Sequence, residues 1–132
     1  MKKIVLILAT IGILFSCDKD DETNSNTELI GNWKLIEVLA DPGDGSGIFS
    51  PVESDKIISF ESDAIITSNG RLCDISINSD NPTSGIYSAS DLTFRSSDCP
   101  NPDYDYTFEQ DGNILIINYP CFEPCRAKYQ KQ

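Results

Sequence analysis

Asp111-Gly112 lies between two runs, Tyr104 to Gln110, in which apolar and polar residues alternate, and Asn113 to Tyr119, in which Ile114 and Ile116 blur the same alternation. Such a dipeptide favours a two-residue hairpin turn, and a period of two is that of a strand with one buried face. The pattern directs the chain toward antiparallel sheet. Across that turn Phe108 is expected opposite Leu115 and Tyr106 opposite Ile117, all four on one face.

The same grammar recurs along the chain. Short runs rich in Ile, Phe, Tyr and Thr are broken by Asp, Gly, Asn, Ser and Pro, and no stretch holds a helical period. Strands are predicted near Trp33 to Ala40, Asp55 to Phe60, Ala64 to Ser68, Gly85 to Ala89, Leu92 to Arg95, Tyr104 to Gln110, Asn113 to Tyr119 and Arg126 to Gln130. A turn through Glu61-Ser62-Asp63 groups Ile58, Phe60, Ala64 and Ile66. A turn at Ser90-Asp91 groups Tyr87, Ala89, Leu92 and Phe94. With Trp33 and Leu35 on the first strand, these side chains form the expected interior of an all-β, eight-stranded, antiparallel up-and-down barrel. Closure leaves no free sheet edge.

Parity orders the connections. The second, fourth and sixth are tight turns at one end, where the chain also enters the first strand. The longer ones, containing Asp41 to Ser54, Asn69 to Ser84, Ser96 to Asp103 and Pro120 to Cys125, then share the other end. A ninth strand through Cys73, Ile75 and Ile77 would reverse this order downstream.

Before the domain, Met1-Lys2-Lys3 supplies positive charge, Ile4 to Phe15 an apolar run, and Ser16 a small residue at a cleavage point. This is the order of a secretory signal, and the run is well short of the ~20 residues of a membrane-spanning helix. Leu14-Phe15-Ser16-Cys17 resembles the lipobox of bacterial lipoproteins. The resemblance implies a signal peptide over residues 1–16 and a lipid on Cys17 that holds the protein to a membrane. Residues 17–28 read as a flexible acidic tether and 29–132 as the barrel domain. The cluster Lys19-Asp20-Asp21-Glu22 resembles the signal that sends lipoproteins of some Gram-negative lineages to the outer face of the outer membrane, the localisation expected here; a generic acidic linker is the alternative.

Lipidation of Cys17 leaves Cys73, Cys99, Cys121 and Cys125, which in an oxidising compartment make two disulfides with three possible connectivities. All four cysteines fall at the long-loop end. Cys73 with Cys99 bridges the third and fifth connections, and Cys121 with Cys125 closes a short loop around Pro124. Zinc is the other use of such residues, but the chain has no histidine and its export signal favours oxidation.

The absence of histidine also excludes Ser-His-Asp and Cys-His catalysis, and nothing singles out a pair of carboxylates for glycosidase chemistry. No enzyme activity and no cofactor are expected. A net charge of −11 repels phosphate backbones, so nucleic acid is not an expected partner. Asp41-Pro42-Gly43-Asp44-Gly45-Ser46-Gly47 lacks the acid spacing and distal Glu of an EF-hand, and reads as a flexible loop over the barrel mouth rather than a metal site.

Gly31-Asn32-Trp33 at the head of the first strand, a long loop after it and eight antiparallel strands resemble a small lipocalin-like protein. The resemblance implies that Gly31 and Trp33 plug the closed end, that a basic residue of the last strand, Arg126 or Lys128, packs on Trp33, and that the open end binds a small apolar molecule. Two functions follow as expectations. One is a monomeric surface-anchored binder of a small apolar ligand at the loop-rich end. The other is a non-enzymatic structural or protein- or glycan-interaction module whose barrel is filled by its own side chains, since eight strands enclose little more than side chains or one small ligand.

Overall fold

The described residues form nine short strands: β1 (Gly31–Ala40), β2 (Ser50–Pro51), β3 (Ile57–Phe60), β4 (Ile65–Ser68), β5 (Thr83–Ser88), β6 (Thr93–Arg95), β7 (Tyr106–Asp111), β8 (Ile114–Tyr119) and β9 (Cys125–Lys131). The computed structural model describes residues 28–132, so the expected signal peptide, Cys17 and most of the expected tether lie outside the described residues. All neighbours pair antiparallel, and β9 returns to pair with β1, closing eight strands into a barrel. The ninth strand, β2, pairs with Glu37 and Val38 of β1 and lies outside the ring. Every strand of the expected eight is present within two residues of its predicted bounds.

Interior and exterior alternate as a half-buried strand requires. On β8, Leu115, Ile117 and Tyr119 are buried between partly exposed neighbours; on β7 Tyr106 and Phe108 are buried between exposed Thr107 and Glu109. Cys73, Ile75 and Ile77 form no strand, so the predicted order of connections stands.

Three local expectations are corrected. In the β7–β8 hairpin Phe108 pairs with Ile117 and Asp111 with Ile114, so the two-residue turn is Gly112-Asn113. Gly112, at φ +55°, occupies the first turn position, where a II′ turn wants glycine. In the β3–β4 hairpin Phe60 pairs with Ile66, and Ala64 sits exposed at φ +64° in a longer loop. Both registers slip by two, so the inward faces survive; a slip of one would have reversed them. The β5–β6 register is as expected, Tyr87 opposite Phe94, but Leu92 is not interior. At φ +55° in the turn, its side chain is 43% exposed while its carbonyl accepts from Phe108 N–H at 2.9 Å.

A bulge interrupts the β1–β9 pairing. Leu35 faces Tyr129 and Glu37 faces Lys128, leaving Ile36 unpaired with β9 and moving the inward position from Leu35 to Val38.

Candidate functional site

The closed end is built around Trp33. Its ring is fully buried, and the indole Nε1–H donates to the Leu29 carbonyl at 2.8 Å, holding buried Leu29 as the last layer of the plug. Gly31 precedes it at φ +133°, a conformation that strains any L side chain. The basic residue over the indole is neither Arg126 nor Lys128. Ala127 and Tyr129 point inward on β9, so Arg126 and Lys128 point outward. Arg126 pairs with Glu109 at 2.9 Å and donates to Asn118, and Lys128 meets Glu37 and lies over Phe49. Lys131, which shares the parity of Tyr129, pairs with Trp33 across the strands and places its Nζ 5.4 Å from the ring centroid.

Between the two ends the barrel is occupied by its own side chains. Leu35, Ile58, Phe60, Ile66, Phe94, Phe108, Leu115 and Ile117 are all but inaccessible, with Tyr87 and Tyr106 nearly so. Phe60 meets Tyr87 and Phe108 edge-on with centroids 4.9 and 5.4 Å apart, and Phe94 stacks on Tyr106 at 4.9 Å. Such distances are those of favourable aromatic pairs, which add to the area they bury. Sequence reading missed Tyr119, Tyr129 and Leu72 as interior residues. The Tyr119 and Tyr129 hydroxyls lie close together but outside hydrogen-bond geometry, without other protein partners, and burial raises both phenols above their ordinary range.

The other end gathers the four long connections and both disulfides. Cys73 joins Cys99 and Cys121 joins Cys125, with Cα separations of 5.4 and 5.8 Å, the expected pairing. The first bridge fastens the β4–β5 connection to the β6–β7 connection above the buried Leu72. Thr83 supports it, accepting from Leu72 N–H at 2.9 Å and donating to the Gly70 carbonyl at 2.8 Å. The first connection is more ordered than a flexible cover. The Asp41 carboxylate accepts from the amides of Gly43, Gly45 and Gly47, which lowers its pKa, and the chain then runs back along β1 as β2.

Lys56 is the residue at this end that periodicity gave no reason to single out. It is fully buried, and its ammonium donates to the carbonyls of Ser76 at 2.8 Å and Asp74 at 3.4 Å, tying the β1–β3 connection to the β4–β5 connection. Desolvation drives its pKa from 10.5 down to about 8, against the pull of Asp74 and with help from Arg71. Because the unfolded chain keeps the proton to higher pH than the native one, stability contributed at this site rises between pH 8 and 10.5. Denaturant melts from pH 7 to 9.5 should therefore show the native chain gaining about 2 kcal/mol relative to Lys56→Met. Parallel profiles for the two proteins would refute the assignment.

The wall outside the barrel has shallow clefts, one of about 530 Å³ between Lys34, Ser54, Asp55 and Asn78. Among the described residues no group of three or more acidic, cysteine or histidine side chains is placed to hold a metal ion. Comparisons with protein families, curated proteins and solved structures return no match.

Proposed function

We propose that the chain is a lipoprotein held to the outer membrane through Cys17, and that its barrel is a non-enzymatic interaction module rather than a container for a small molecule. The observation that carries this reading is the filled interior: the aromatic and branched side chains that a ligand would have to displace are packed against one another from Trp33 to Tyr119. Opening room for an apolar ligand would create unfilled space at about 24 cal/mol per Å³ of cavity, a cost that the ligand must recover before it binds at all. A packed barrel spends its side chains on rigidity and leaves recognition to its loops. The described chain begins at Glu28 beside the Trp33 end, so a tether to the membrane leaves the long loops facing outward.

The single tryptophan makes the test direct, since Trp33 sits in the interior and reports on it. Titration with anilinonaphthalene sulfonate and with oleate is expected to give no saturable uptake and no change in tryptophan emission. Saturable binding that quenches Trp33 would overturn the packed-module reading. In a Gram-negative host fed labelled fatty acid, the full chain should carry the label and Cys17→Ser should not.

A further inference from the structure

Phe60, Phe94 and Phe108 are buried in the barrel, but Phe122 stands wholly in solvent at the tip of the loop closed by the Cys121–Cys125 disulfide. Leaving a phenylalanine in water forgoes roughly 1.5–3 kcal/mol of burial. The ring around it is small and contains Pro124. It is also braced from the side, because Asp41 N–H donates to the Pro124 carbonyl at 3.0 Å and Gly43 faces the Glu123 side chain. The connection that braces it carries a second exposed apolar residue, Ile48, at 75% exposure.

The connections around these two residues are predominantly acidic. The four long connections, residues 41–56, 69–82, 96–105 and 120–124, hold ten carboxylates and only two cations, Lys56 and Arg71. Lys56 is buried, Arg71 pairs with Asp74 at 3.0 Å, and the strand-borne cations close at hand are each engaged by a carboxylate: Arg95 by Asp105, Lys34 by Asp55, Arg126 by Glu109, and Lys128, which lies over Phe49 beside Ile48, by Glu37. An apolar tip in an acidic surround disfavours a second copy of the same end and an anionic membrane, since both would repel it.

We propose that Phe122 and Ile48 form the docking tip of this domain, and that its partner is a protein surface offering an apolar pocket bordered by lysine and arginine. The proposal rests on the interaction-module reading and names its partner class. Disulfide closure of the loop pre-pays the ordering that a flexible anchor would owe on binding, and the acidic surround speeds encounter with a cationic face.

The test uses the full lipidated chain in neutral detergent and defined probes: amphipathic peptides with a Leu/Phe face bordered by Lys and Arg, matched peptides with Glu in place of the cations, and phosphatidylcholine vesicles. The cationic peptides are expected to bind, more weakly as salt rises, with a loss of roughly tenfold or more in Phe122→Ser and none in Ile86→Ser, an exposed position on the outer wall. Phe122→Ser should melt with the wild type, since the ring touches no core residue. No binding by the wild type, equal binding of the Glu peptides, indifference to Phe122→Ser, or Phe122-dependent adsorption to vesicles instead of peptides would each overturn the proposal. The packed-interior reading survives any of these, because it stands or falls on dye and fatty-acid uptake.

Discussion

Trp33→Ala is expected to be the most damaging single substitution in the described domain. The side chain is fully buried, and its truncation removes a large apolar surface, the hydrogen bond to Leu29 and the platform beneath Lys131 in one step. Truncating a buried Trp costs about 3–5 kcal/mol, a large share of the 5–15 kcal/mol that holds a domain of this size. The melting temperature should fall by ~12 °C or more. Removing Pro42 to Ser46 is the informative contrast, because these residues are exposed and lie outside the strands, and shortening a surface loop changes its closure entropy only slightly. A domain that tolerates Trp33→Ala but unfolds on the loop deletion would place the stability at the opposite end from the one argued here.

Loss of the Cys73–Cys99 bridge is expected to come second. The bridge closes a loop with a sequence separation of 26, worth about 3.5 kcal/mol on the chain-entropy account, against about 2 kcal/mol for the separation of 4 between Cys121 and Cys125. The difference is reinforced by place: Cys73 and Cys99 are buried with Leu72 in the core, whereas the Cys121–Cys125 loop lies at the surface. Urea melts of the Cys73→Ser/Cys99→Ser and Cys121→Ser/Cys125→Ser pairs should rank in that order. The reverse ranking would mean that the short loop, rather than the bridge over the barrel mouth, secures the long-loop end.

Much of this molecule is set by local chemistry that a linear reading can follow. The strands, their inward faces and the end to which each connection belongs rest on a period of two, on turn residues and on counting reversals. Phe60, Tyr87, Phe94, Tyr106, Phe108, Leu115 and Ile117 are interior because alternation puts them there, and two-residue slips in register at two hairpins leave alternation intact. The same parity brought all four cysteines to one end, and the short spacing of Cys121 and Cys125 pointed to the pairing found there. Other features depended on contacts between parts of the chain far apart in sequence. Leu92 left the core because its turn needed a left-handed residue, and β2 joined β1 because a bulge and a long return brought it alongside. The cation over Trp33 is Lys131 because strand pairing, not the composition of β9, decides which residue lies opposite the indole. Lys56 and Phe122 mark the limit most clearly. A lysine in a strand-rich chain is normally solvated and a phenylalanine normally buried. Here the carbonyls of a distant loop draw the amine inside and a small disulfide ring holds the aromatic out.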